Sequence, residues 1–572
     1  MNFPELTLAS VKTNPAGVLE QVCRRIESRG EDAVWISKVP RDRVKIPDGD
    51  RANGPLAGVP FAIKDNIDLA GVPTTAACAE FSYTPEVSAF VVQRLINAGA
   101  VPLGKTNLDQ FATGLVGIRS PYGTPSNPFN ADYIPGGSSS GSAVAVSAGL
   151  CSFSLGTDTA GSGRVPAAFN DLVGLKPTKG LLSTRGVVPA CRSLDSVSIF
   201  AKTVADAAQV LAVAVGYDGE DPYSRLAAPP PPLAWPPCLG VPWAEQLEFF
   251  GDKGARTLLA RVVDRWKELG AQIVEIDYSP FLEAARLLYE GPWVAERYAA
   301  IKGFIETHPE ALHPVTRKII EGARSLGTVE AFEAMYKLAA LKRKSEAVWS
   351  GIDSILTPTA GTIYTVTEVE ANPIRLNSNL GYYTNHMNLL DLCALALPAG
   401  FLPNGLPWGI TLSAPAFHDD RMLSWGARFL GEAEPAQALK GPVLVRVAVC
   451  GAHLSGLPLS SQLTSLGATL VKASRTSPHY HLYALPDTSP PKPGLVRAPE
   501  GGSSIELEVW EMTAEAYGHF VAAIPAPLGI GRIELEDRSL VQGFLCEAYI
   551  VKNARDISAF GGWRAYLKSL NG

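Results

Sequence analysis

The sequence predicts an α/β fold, a large mixed sheet covered by helices, followed by a small α+β domain. Three observations carry this expectation. From residue 56 onward, short apolar runs alternate with segments of helical spacing, the pattern of strands and helices layered on a mostly covered sheet. At 572 residues the chain exceeds what a single ordinary core supports, so more than one unit is expected. The composition then changes over residues 431–442 (Gly-Glu-Ala-Glu-Pro-Ala-Gln-Ala-Leu-Lys-Gly-Pro), which reads as a linker between domains at residues 1–435 and 443–572.

Each element follows from local pattern. Val18, Leu19, Val22 and Ile26 share one helical face, so residues 6–30 are expected to form an N-terminal helix. Residues 59–63 read as a strand, 89–98 as a helix and 100–103 as a second strand. The small residues of 142–148 suit a helix packed tightly against its neighbours. Pro229 to Pro232, with Pro236 and Pro237, predict a stiff connector. Amphipathic helices follow at 255–269 and 329–349, then a strand at 352–357. The uncharged tract 392–417 is interrupted by Pro398, Pro403, Pro407 and Pro415, so it reads as buried strands and turns and not as a membrane span. In the second domain, strands are expected at 443–449, 505–511 and 539–548, with a helix starting at Thr513. No internal repeat is visible.

Composition narrows the function. The chain is 46% hydrophobic and 19% charged with a net charge of -6, which disfavours nucleic acid as the main ligand. None of the eight cysteines forms a Cys-x-x-Cys pair, so neither a zinc site nor a redox dithiol is suggested. The first residues, Met-Asn-Phe-Pro-Glu-Leu, lack the basic and apolar regions of a signal peptide. A cytoplasmic enzyme without a membrane partner is expected.

The chemistry is concentrated in three stretches: residues 58–66 (Gly-Val-Pro-Phe-Ala-Ile-Lys-Asp-Asn), 136–142 (Gly-Gly-Ser-Ser-Ser-Gly-Ser) and 156–164 (Gly-Thr-Asp-Thr-Ala-Gly-Ser-Gly-Arg). Ser162 is the candidate nucleophile, because the small residues before it let backbone N–H groups converge on an oxyanion. A serine hydroxyl needs a base. Lys64 follows the apolar run Phe61, Ala62 and Ile63, where burial would disfavour its charged form and free a lone pair. Ser138, after Gly136 and Gly137, would carry the proton between them. Taken singly, a lysine after a strand is ordinarily a solvated surface residue and a Ser-Gly tract an ordinary turn. Their joint occurrence in this order is what points to amide hydrolysis.

Two other matches carry less. Gly99 to Thr106 fits Gly-x4-Gly-Lys-Thr around Lys105, but its middle is strand-like and Pro102 removes a backbone donor that a phosphate would need. Gly137, Ser139 and Gly141 fit Gly-x-Ser-x-Gly, but the preceding residues 131–135 are turn-like where that motif requires a strand.

Together the three stretches resemble the amidase signature family. The resemblance implies a Ser–cis-Ser–Lys triad of Ser162, Ser138 and Lys64, with a cis peptide between Gly137 and Ser138. It further implies oxyanion donors on the backbone of Thr159, Ala160 and Gly161, and structural support from Asp158 and Arg164. It covers roughly residues 50–430 and implies the amidase signature fold. One departure is visible: many members carry Gly-Gly-Ser-Ile-Arg where this chain has Ala160-Gly161-Ser162-Gly163-Arg164.

Substrate choice rests on other segments. Residues 288–298 (Leu-Tyr-Glu-Gly-Pro-Trp-Val-Ala-Glu-Arg-Tyr) resemble a segment of allophanate hydrolases. Pro292 suits the first turn of a helix carrying Arg297, with Tyr289 just before it. An inward guanidinium could hold a carboxylate bidentately while the phenol adds a hydrogen bond. Gly114 resembles another substrate-contact position in that group. Residues 448–456 and 520–531 resemble the C-terminal domain of the same enzymes, whose fold is similar to the γ-glutamylcyclotransferase type. The resemblance implies a small anionic substrate, allophanate, cleaved through an acyl-enzyme to N-carboxycarbamate, which the second domain decarboxylates, with no metal or organic cofactor needed. It also implies a link to a urea carboxylase or to a biuret-producing pathway, and a homodimer is expected on the frequency of two-fold assemblies. His453, in a turn after the strand 443–449, is the candidate for the second step, with His479, His481 and His519 as alternatives. Two competing expectations remain: the amidase component of a tRNA-dependent amidotransferase, and a small-molecule amidase whose second domain only binds or dimerises.

Overall fold

The structure is a computed structural model that describes residues 6–228, 235–439, 444–486, 488–498 and 500–571. It divides into two compact units, residues 1–441 and 442–572. The sequence connector Pro229 to Pro232 lies outside the described residues, as does Val443.

The first unit is built on eleven strands: β1 (Trp35–Lys38), β2 (Pro60–Lys64), β3 (Val101–Thr106), β4 (Phe153–Asp158), β5 (Val173–Lys176), β6 (Ser196–Ala201), β7 (Cys238–Pro242), β8 (Gln272–Ile276), β9 (Ser354–Pro358), β10 (Leu392–Phe401) and β11 (Pro407–Pro415). Their spatial order is β1-β3-β2-β4-β6-β5-β10-β11-β9-β7-β8. The sheet is mixed. The strands β3, β2 and β4 run parallel, as do β9, β7 and β8, and antiparallel pairs join the two sets. Every residue of β2, β4, β5, β6 and β9 is buried, because helices cover both faces.

Local sequence explains the elements that position the site. Phe61 and Phe153 are register partners on β2 and β4, and their rings stack with centroids 5.1 Å apart. The helix Ser140–Ser147 contains only Ser, Gly, Ala and Val and is buried along its whole length, so small side chains let it lie close against the sheet. The expected N-terminal helix is two helices, Leu8–Thr13 and Pro15–Ser28. Pro15 cannot continue the first, and Asn14 caps the second by accepting from Gly17 N–H. The tract 392–417 is the buried hairpin of β10 and β11. Among the described residues no helix is long and apolar enough to cross a membrane.

The second unit has a five-stranded sheet of order β13-β16-β12-β18-β17 and a three-stranded sheet of order β15-β14-β19. These are β12 (Leu444–Val449), β13 (Thr469–Arg475), β14 (Tyr480–Ala484), β15 (Pro493–Arg497), β16 (Glu506–Thr513), β17 (Leu528–Glu534), β18 (Leu540–Cys546) and β19 (Arg555–Asp556). Thr513 ends β16 and caps the helix Ala514–Ala522 by accepting from Ala516 N–H at 3.2 Å. That helix buries Ala516 and Phe520 in a core with Val447, Leu507, Val509 and Ile533.

Candidate active site

Lys64 ends β2 and Asp158 ends β4, and these strands are parallel neighbours, so both residues reach the carboxyl edge of the sheet together. The Lys64 side chain is fully buried. Its Nζ donates to Ser138 Oγ at 2.7 Å and to Thr157 Oγ1 at 2.8 Å. Burial brings its pKa down from 10.5 to about 7, against the opposing pull of Asp109, Asp195 and Asp158; Arg297 pushes it further down. An amine in this position is neutral for a large share of molecules near neutrality, which a surface lysine is not.

Ser138 follows a cis Gly137–Ser138 peptide. Asp109 holds this loop: its N–H donates to Ser138 O at 3.0 Å, and its carboxylate accepts from the N–H groups of Val116, Gly117 and Arg119. Ser139, of the rejected Gly-x-Ser-x-Gly match, donates to Thr157 O at 3.2 Å and is fully buried.

Ser162 lies on the turn leaving β4 and is 3% exposed. Among the described residues its hydroxyl makes no hydrogen bond. The turn is held from several sides. Arg164 pairs bidentately with Asp158, Nε to Oδ2 and Nη2 to Oδ1, each at 2.8 Å, with both side chains fully buried. Burial alone would raise the Asp158 pKa, but Arg164 and the surrounding donors hold it below the usual carboxylate range. Thr384 Oγ1 donates to Ala160 O at 2.6 Å, and Asn388 Nδ2 to Asp158 O at 2.7 Å. Thr159 Oγ1 donates to Asp195, whose carboxylate also accepts from the N–H groups of Ala190 and Cys191.

The three expected oxyanion donors are not equivalent. Gly161 N–H is engaged, donating to Asp158 Oδ1 at 2.8 Å. Thr159 and Ala160 N–H make no hydrogen bond among the described residues. Gly161 is there for a steric reason. Its φ is +135°, and a Cβ would sit 2.4 Å from Thr384 Oγ1 and 2.8 Å from Thr384 Cβ.

Arg297 lies on the helix Trp293–Ala300, just after Pro292, and is 2% exposed, so it is no solvated helix charge. Its Nη1 donates to Thr113 Oγ1 at 3.0 Å and to Ala112 O at 3.3 Å, while its buried Nε has no partner among the described residues. Tyr289, half-buried on the preceding helix Ser279–Glu290, places its ring centroid 5.5 Å from the guanidinium carbon. Gly114 follows Thr113, and a Cβ there would meet Asp109 Oδ2 at 2.6 Å. The guanidinium therefore links the Ala112–Thr113 turn, just before Gly114, to the Tyr289 ring.

Lys105, of the phosphate-loop match, is buried on β3. Its Nζ donates to Thr74 at 2.8 Å and pairs with Asp65 at 3.3 Å, a core ion pair. The eight cysteines are free thiols, six of them buried. Among the described residues no group of three or more His, Cys, Asp or Glu side chains is placed to hold a metal.

In the second unit, His453 lines a cavity of about 240 Å³ with Gln462, Lys492, Phe520 and Phe544. Its Nε2 lies 2.9 Å from Gln462 Oε1, and its ring stacks on Phe544 at 5.2 Å. Burial lowers its pKa, Lys492 adds to the fall, and the Gln462 contact opposes it. The alternatives lie elsewhere: His481 pairs with Asp556, His479 meets Ser477, and His519 is exposed on its helix.

Sequence reasoning missed Thr157, Asp109, Asp195, Thr384 and Asn388. Thr157 was legible, standing inside the third stretch beside Asp158. The others reach the site only through folding; Thr384 is 224 residues from the carbonyl it holds.

Comparison with known proteins places these features in a family. Residues 18–423 match the Amidase family, and residues 445–568 match the family described as the allophanate hydrolase C-terminal domain. The chain is 42% identical over 574 residues to the urea amidolyase of Saccharomyces cerevisiae, a match covering 94% of this chain and 31% of that protein. It thus spans about a third of the length of the urea amidolyases it matches. The structure of selenomethionine-substituted Kluyveromyces lactis allophanate hydrolase aligns with a TM-score of 0.72 and 42% identity over 98% of both chains. One component of the glutamyl-tRNA(Gln) amidotransferase of Prochlorococcus marinus is 36% identical over 399 residues, 64% of this chain and 82% of that protein.

Proposed function

The chain belongs to the amidase family, an enzyme acting on amide C–N bonds, and we propose that its substrate is allophanate, cleaved through an acyl-enzyme on Ser162. One observation carries the mechanism: a fully buried lysine, its pKa near 7, hydrogen-bonded at 2.7 Å to the hydroxyl of Ser138. Neutral Lys64 takes the Ser138 proton as Ser138 takes the Ser162 proton, and Ser162 Oγ attacks the terminal amide carbonyl. The oxyanion falls to the uncommitted N–H groups of Thr159 and Ala160, with Gly161 shared with Asp158. Collapse expels ammonia, which takes the relayed proton. Water then cleaves the acyl-enzyme and releases N-carboxycarbamate. Arg297 and Tyr289 hold the substrate carboxylate, supported by the spare donor capacity of the buried guanidinium.

The second unit carries the decarboxylation of that product, ending in carbon dioxide and a second ammonia, with His453 positioned in its cavity to move a proton. A reaction that carboxylates urea, or one that produces biuret, would supply the substrate. The amidotransferase reading is weaker, because such relatives match 64% to 69% of this chain.

The test is ammonia release by the purified chain. Two equivalents per allophanate are expected, and none from Ser162→Ala. Absence of wild-type turnover removes the substrate, and an active Ser162→Ala removes the mechanism. With His453→Gln, one equivalent is expected while the dicarboxylated product accumulates; two equivalents at the wild-type rate would favour a second unit without chemistry.

A further inference from the structure

The His453 cavity is asymmetric in charge. Its polar lining is His453, Gln462, Ser489 and Lys492, and its apolar wall includes Phe520, Ile524, Leu528 and Phe544. No carboxylate lines it among the described residues. Lys492 is half-buried and forms no ion pair among the described residues. It is the one cation in the lining, and it stands close enough to His453 to press that imidazole toward its neutral form.

Backbone donors add to this. The loop after β12 brings Gly451, Ala452 and His453 to the cavity, and their N–H groups have no acceptor among the described residues. Consecutive free N–H groups beside an ammonium are the equipment of an anion site. Because Gln462 Oε1 accepts, His453 Nε2 carries the proton and the neutral ring keeps its lone pair on Nδ1. Size fits as well. At about 30 Å³ per water, the cavity has room for about eight waters, enough for a ligand of six or seven heavy atoms.

We infer that Lys492 is the specificity-determining residue of this cavity: it anchors one carboxylate of a small dicarboxylated amine while the loop N–H groups take the other, so that dianions are selected over monoanions. This rests on the reading that the second unit receives the doubly carboxylated product of the first. The ammonium supplies what an amide cradle alone does not, a full positive charge set against the second negative charge.

The experiment uses the full chain with isotope-labelled histidine and follows the His453 ring resonances, with malonate as the dianion and acetate as the monoanion. Reading His453 keeps any binding of malonate near Arg297 out of the signal. In the wild type, malonate shifts the His453 resonances saturably, and acetate at the same concentration does not. Lys492→Met weakens the malonate response at least ten-fold, and Lys492→Arg retains most of it. The remaining histidine resonances, unmoved by the substitutions, report that the fold is kept. A wild-type His453 that ignores malonate overturns the cavity assignment and the lysine's role together. A normal malonate response in Lys492→Met, or an equal wild-type response to acetate, overturns the lysine's role alone.

Discussion

Thr157→Val should shift the pH dependence of amide hydrolysis toward acid. The base must be neutral to act, so kcat/KM rises with pH through the Lys64 pKa, at about 7 in the wild type. Thr157 Oγ1 accepts from Lys64 Nζ at 2.8 Å inside a fully buried site, and an accepting oxygen favours the ammonium over the amine. Valine keeps the shape and removes the acceptor. The excess of a charged over a neutral hydrogen bond is about 1–1.5 kcal/mol. At about 1.4 kcal/mol per pKa unit, the limb should move acidward by roughly one unit, to near pH 6. At pH 6 the neutral share of Lys64 then rises from about a tenth to about a half. The plateau falls, since a weaker base drives proton transfer less well. The assay is initial-rate ammonia release from pH 5 to 9, with a melting curve at each pH. A limb that stays in place, or moves toward alkali, would refute the assignment of that limb to Lys64.

Two further substitutions probe the pieces around it. Gly161→Ala places a methyl against Thr384 in a backbone region closed to alanine, so it should cost about 1–3 kcal/mol of stability, read by denaturant unfolding, and nearly all activity. Arg297→Met should lower kcat/KM for allophanate about ten- to a hundred-fold, matching about 1.5–3 kcal/mol for a charged hydrogen-bonded contact, while an uncharged amide loses far less. An equal loss for both substrates would make Arg297 a purely structural residue.

What could be read from the chain alone were features that depend on near neighbours. The apolar run Phe61, Ala62 and Ile63 marked β2, because a strand covered on both faces buries every side chain. Thr513 announced the helix after it because a cap acts across three residues. The three stretches held Lys64, Ser138 and Ser162 in plain sight, since glycine-rich turns and an apolar-flanked lysine are local signals. Other parts were beyond local reading. The N-terminal pattern looked like one helix because periodicity runs through Pro15, where capping by Asn14 decides otherwise. Arg297 reads from its own helix as a surface charge; only the packing of Ala112 and Thr113 against it makes it a buried donor.

Residue types and spacing alone determined a layered α/β scaffold and singled out Ser162, Ser138 and Lys64 as candidates for nucleophile, relay and base. Tertiary structure decided whether the lysine could work as a base. Its pKa depends on the water excluded by the surrounding sheet and helices and on carboxylates at Asp109, Asp158 and Asp195 that come from three separate parts of the chain. It also decided which backbone N–H groups are open, because Asp158 claims Gly161 and leaves Thr159 and Ala160 unclaimed. Desolvation and hydrogen-bond competition belong to a folded environment, and no stretch of sequence contains them.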